Sequence, residues 1–137
     1  MIINFTIYET EAKPAAICKA FNILERIYSE KKVIYDPEKM GNCFEVSAEL
    51  ITTLEKEGYE MDGWYYIVAD CVGQITHAWL EYDGWAIDFS SGQSLFMPSE
   101  NFAEQRKPEN IRRYTIEELR EQSKKPENCG LLKYFDN

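Results

Sequence analysis

Apolar positions recur with a helical period twice in this chain and then give way to strict alternation. Ile17, Ala20, Phe21, Leu24, Ile27 and Tyr28 form one helical stripe, with Pro14 suited to its first turn. Tyr35-Asp36-Pro37 breaks it. A second stripe follows, with Cys43, Val46, Ser47, Leu50 and Leu54 on one face. Asn42 can cap this second helix, and Glu45 three residues later completes an Asn-x-x-Glu capping box. Gly58 is placed to close it as a left-handed cap.

From Gly63 the pattern is that of strands. Trp64-Tyr65-Tyr66-Ile67-Val68 is aromatic and β-branched, and Gly73 turns the chain. The runs Ile75 to Tyr82 and Trp85 to Ser90 flank Asp83-Gly84, a strong two-residue hairpin signal. Ile2 to Tyr8 is a further short strand candidate. Beyond the hairpin, Pro98-Ser99-Glu100 suits the opening of a short helix and Ile111 to Tyr114 a strand. Thr115 with Glu118 forms a second capping box, for a helix from Ile116 to about Lys124 that Pro126 ends. A chain of 137 residues is expected to form a single domain over residues 1–137.

The hairpin fixes which side chains share a face. With Asp83 and Gly84 as the loop, Tyr82 pairs with Trp85, Leu80 faces Ile87, Trp79 faces Asp88, and His77 faces Ser90. Ala78, Leu80, Tyr82, Trp85, Ile87 and Phe89 then form the core face. His77, Trp79, Glu81, Ala86, Asp88 and Ser90 form the other. His77 and Asp88 become diagonal neighbours, roughly 7–8 Å apart at Cα, which their side chains can bridge. A slip of one residue in the turn would separate them.

His77 is the only histidine in the chain. Paired with Asp88 through one ring nitrogen, it can take a proton from a thiol with the other. Cys43 is the candidate thiol. At the first helical position the helix dipole favours a thiolate, the nucleophilic form. Its backbone N–H has no intrahelical acceptor and can donate to an oxyanion. The other cysteines read as structural or neutral: Cys18 lies on a helical stripe, Cys71 at a strand end, and Cys129 beside Gly130 near the C-terminus. Cys43, Cys71, His77 and Asp88 have no local spacing that suggests a metal site, and no glycine-rich phosphate loop or nucleotide fingerprint is present. No cofactor is expected.

Gly41-Asn42-Cys43, a helix, and then Thr76-His77-Ala78-Trp79-Leu80-Glu81-Tyr82-Asp83-Gly84-Trp85-Ala86-Ile87-Asp88 resemble the transglutaminase-like branch of the papain-like cysteine protease superfamily. The stretch also looks like the leader peptidases that mature lasso peptides. The resemblance runs from about Gly41 to Ser90. It implies a papain/transglutaminase-like α+β fold, with the nucleophile helix packed on an antiparallel sheet. It makes Cys43 the nucleophile, His77 the base and Asp88 the orienting acid. Phe44 stands where many transglutaminase-type sites carry Trp. No papain-like Gln precedes the nucleophile, which leaves the second oxyanion donor open among Asn42, Tyr35 and Gln74. Trp79 either walls the cleft or packs under the nucleophile helix, and packing is the favoured reading. Glu81 is expected to be exposed.

Charge narrows the partners. With 24 acidic and 15 basic residues the net charge is −9, so nucleic acid would meet a like-signed field. A peptide or protein substrate, basic by preference, fits better. Met1-Ile2-Ile3-Asn4-Phe5 has no basic stretch of signal-peptide type, and no apolar run approaches the ~20 residues of a membrane span, so a cytoplasmic location is expected. The expected activity is that of a cysteine hydrolase on amide bonds, a peptidase or deamidase. The alternative is a non-catalytic module of the same fold that serves as an inhibitor, adaptor or other interaction protein.

Overall fold

The computed structural model describes residues 6–7, 43–73, 75–88 and 95–135. The expected helix between Pro14 and Tyr28 lies outside these residues, as do Tyr35, Asn42 and Gln74. Strand β1 is Thr6–Ile7, helix α1 Cys43–Lys56, β2 Trp64–Cys71, β3 Ile75–Tyr82, and β4 Trp85–Asp88. Then come β5 (Leu95–Pro98), α2 (Ser99–Arg106), β6 (Glu109–Tyr114), α3 (Ile116–Ser123), a 3-10 turn (Pro126–Asn128) and α4 (Cys129–Leu132). The architecture is α+β.

The strands form one sheet in the order β1-β5-β4-β3-β2-β6. From β5 to β6 every pairing is antiparallel, and the short β1 adds a parallel pair at the β5 edge. The β3–β4 register is the one that the Asp-Gly turn predicts: Leu80↔Ile87, Glu81↔Ala86 and Tyr82↔Trp85. Asp83 at φ 50° and Gly84 at φ 79° both occupy the left-handed region, as a type I′ turn requires. That turn matches the right-handed twist of its flanking strands, so the register is set locally.

Helix α1 starts at Cys43 and ends in a Schellman motif. Gly58, at φ +85°, donates to the Glu55 carbonyl, and Tyr59 donates to the Leu54 carbonyl. The second capping box is formed as expected: the Thr115 hydroxyl accepts from the Glu118 N–H, and the Glu118 carboxylate accepts from the Thr115 N–H.

The sheet buries both of its faces. Against one pack α1 and α3, with Val46, Leu50, Ile51 and Leu54 meeting Tyr66, Ala78, Leu80, Trp85, Ile87 and Leu119. On the other, Phe102 of α2 closes over Ile67, Ala69, Trp79, Ala86, Leu95 and Met97. This corrects the expectation of one core face. Strict alternation put His77, Trp79, Ala86 and Asp88 on a second face, and that face is apolar enough to take a helix of its own. Among the described residues no helix is long and apolar enough to cross a membrane.

Candidate active site

The first half of β3 carries the histidine. Its eight-pair ladder with β2 holds His77 opposite Ala69. The type I′ turn returns β4 so that Asp88 shares the face of His77. The side chains close the diagonal gap: His77 Nε2 lies 2.7 Å from Asp88 Oδ2. This is a short charge-assisted contact, and it is sheltered, with Asp88 at 0% and His77 at 13% side-chain exposure.

Trp79 stacks on the imidazole at 6.0 Å between ring centroids and meets Phe102 at 4.7 Å on its other side. The expectation that it packs under the nucleophile helix is therefore corrected. It belongs to the α2 side of the sheet, whereas α1 covers the opposite face. There it covers one face of the imidazole. Glu81 is likewise not simply exposed. At 15% side-chain exposure it accepts from Arg113 at 3.0 Å and from the Ser99 hydroxyl at 3.0 Å.

Cys43, the first residue of α1, lies close enough to the imidazole to act on its proton affinity. Its first-turn position is held by two bonds that sequence reasoning did not single out. The Tyr66 hydroxyl donates to the Phe44 carbonyl at 3.1 Å. The Ser47 hydroxyl, one turn after Cys43, makes a long bond of 3.4 Å to the Ala78 carbonyl, next to His77. The signal for Tyr66 was present but faint: a residue with a polar tip at a core-facing position of a strand needs a hydrogen-bond partner. Cys43 itself is buried, with 4% of its surface exposed.

The electrostatics couple the three groups. Burial alone would lower the His77 pKa. The hydrogen bond to Asp88 and that to the Cys43 thiol, with the charges of both, outweigh burial and push the imidazole up to about 9. The ring therefore holds its proton more tightly than a free imidazole does. With Nε2 committed to Asp88, Nδ1 is the nitrogen left to serve the sulfur. Burial, with Cys43 as the next contributor, pushes the Tyr66 phenol up, which keeps it a donor. Burial also raises the Cys71 thiol, against the opposing charge of Arg106.

The three residues expected to work together are therefore brought together. Trp79 is adjacent through the imidazole, and Asn42, Gln74 and Tyr35 fall outside the described residues. In comparison with known proteins, no family model, no curated protein and no solved structure matches the chain.

Proposed function

We propose that this chain is a cysteine hydrolase of papain/transglutaminase-like type that cleaves amide bonds in a peptide or protein, with Cys43, His77 and Asp88 as its triad. The observation that carries the reading is the 2.7 Å bond between His77 and a fully buried Asp88, made on an imidazole that also partners the Cys43 thiol. An imidazolium held by a buried carboxylate is the counter-ion that a nucleophilic thiolate needs.

The chemistry follows. The Cys43 sulfur attacks the amide carbon, a C–S bond forms, and the carbonyl electrons move to oxygen. The N–H of Cys43, which a helix leaves without an internal acceptor, can donate to that oxyanion. As the intermediate collapses the C–N bond breaks, and the leaving amine takes the proton from His77. The imidazole, now neutral, removes a proton from water as it attacks the thioester. The C–S bond then breaks, the acid is released, and the sulfur leaves as the thiolate beside the imidazolium formed in the previous step, which restores the starting pair. Asp88 keeps the ring oriented throughout.

The near-complete burial of Cys43 favours one other reading, a binding module of the same fold whose thiol never meets substrate. The two part on a simple experiment. The protein is incubated with peptide acyloxymethyl ketones, and the modified residue is mapped by mass spectrometry. A hydrolase is expected to be labelled once, on Cys43, and to lose the label in His77→Ala. A protein left unlabelled at Cys43 is a binding module.

A further inference from the structure

Helix α2 carries no member of the triad, yet it is built against the face that holds two of them. It buries a single side chain, Phe102. That ring meets Trp79 at 4.7 Å between centroids, and Trp79 stacks in turn on the imidazole of His77 at 6.0 Å. The cluster around Phe102 also holds Ala86, two residues before Asp88, and Leu95, the cross-strand partner of Asp88. Both ends of α2 are tied to the turns that bound β3. At the first end the Ser99 N–H donates to the Gly84 carbonyl at 2.8 Å, and the Ser99 hydroxyl donates to Glu81 at 3.0 Å. At the other the Val72 N–H donates to the Arg106 carbonyl at 2.9 Å. The Arg106 guanidinium lies 5.7 Å from the centre of the Phe102 ring. A helix this short, with almost no apolar stripe, needs such ties to stay on the sheet.

We propose that Phe102 is a positioning residue of the triad: carried by a helix latched at both ends, it backs the Trp79 ring over the imidazole and so keeps His77 on Asp88. The inference rests on the reading of His77 and Asp88 as triad members. Three observations single out Phe102. It is the one buried side chain that α2 supplies, so the helix meets the indole through this ring. It is aromatic, and ring pairs within roughly 4.5–7 Å prefer particular orientations, so it orients Trp79 where an aliphatic side chain would only fill space. The bond it supports is also sensitive to small movements. His77 and Asp88 are diagonal neighbours whose side chains lean together to reach 2.7 Å, and a modest rotation of the imidazole breaks that contact. Phe102 acts through Trp79 and takes no part in the chemistry itself.

The test uses the full chain and two readouts. His77 is the only histidine, so the ring N–H that faces Asp88 gives a single low-field proton resonance, whose exchange with water can be timed. The second readout is the rate at which iodoacetamide alkylates Cys43. Both are measured in Phe102→Ala and in Leu54→Ala, which opens a hole on the other face of the sheet, at the end of α1 far from Cys43. Phe102→Ala is expected to speed the exchange by about tenfold or more, because the cover of the ring opens locally. It is expected to slow the alkylation by about tenfold, within the roughly 10²-fold that a displaced catalytic geometry can cost. Leu54→Ala is expected to lose stability and to leave both rates unchanged. If circular dichroism shows Phe102→Ala unfolded, Phe102→Leu, which keeps most of the buried volume but no ring, carries the same two expectations at smaller size. Equal changes in the Phe102 and Leu54 variants make the role of Phe102 structural alone and overturn the inference, as do unchanged rates in a folded Phe102 variant. Slow alkylation of Cys43 in the unsubstituted protein overturns the nucleophile, and the exchange rates then decide for or against Phe102 by themselves.

Discussion

His77 and Asp88, eleven residues apart in sequence, meet at 2.7 Å because a two-residue turn folds one strand back on the other in a single register. The pair is an electrostatic unit as well as a geometric one, and its consequences can be measured.

The first consequence concerns pH. The folded pKa of His77 is raised, from 6.5 to about 9. A raised pKa means that the folded state binds the proton more tightly than the unfolded chain. The stabilisation is complete below about 6.5 and is lost as pH rises through about 9. Urea midpoints are therefore expected to fall between about pH 6.5 and 9. In Asp88→Asn the fall should shrink, because the carboxylate that raises the imidazole is gone. Asp88→Ala should cost about 3 kcal/mol or more at neutral pH, since one member of a buried pair is removed. A variant with the same pH slope as the parent would show that the two groups do not titrate together.

The turn supplies a second prediction. Gly84 sits at φ +79°, and a Cβ built there meets nothing within 4 Å. Gly84→Ala therefore introduces backbone strain without a clash, and we expect a loss of about 1 kcal/mol in urea denaturation. An unchanged or raised midpoint would mean that the turn is not of the I′ kind that positions His77 and Asp88.

A third prediction concerns the start of helix α1. Tyr66→Phe removes the hydroxyl that gives the Phe44 carbonyl a second hydrogen bond beside its intrahelical one and ties the start of α1 to β2. The expected cost is about 1 kcal/mol. A purely structural role would end there. A positioning role also slows the alkylation of Cys43 and leaves that of Cys71 unchanged, which peptide mapping after timed labelling would resolve.

Much of this arrangement is legible in the sequence. Asp83-Gly84 announces itself because few residue pairs tolerate two consecutive positive φ values, and from it the pairing of Leu80 with Ile87 follows by counting. The stripe from Cys43 to Leu54 and the capping box at Thr115 are equally local signals, and both elements lie where they were expected. Other features are decided by tertiary contact. Strand β5, Leu-Phe-Met-Pro, is too short to show a period and ends in proline, so only its pairing with β4 makes it a strand. Helix α2 buries a single residue, Phe102, and has almost no apolar stripe. That is why alternation alone leaves the second face of the sheet open and favours the wrong side for Trp79. Strand β6 reads as charged surface because five of its six residues are exposed, and it extends two residues before the expected Ile111.

The sharpest test of the triad compares the four cysteines under one reagent. The protein is exposed to limiting iodoacetamide at neutral pH or slightly below, and each sulfur is followed by mass spectrometry. Cys43 should react much faster than Cys18, Cys71 and Cys129 despite being buried, and His77→Ala should remove that advantage with the fold intact by circular dichroism. Burial already pushes the Cys71 thiol up, which makes it an internal slow standard. The account rests on a thiol made reactive by an imidazole that a buried carboxylate holds in place. Uniform slow labelling of all four sulfurs, or fast labelling of Cys43 that survives the loss of His77, would contradict it.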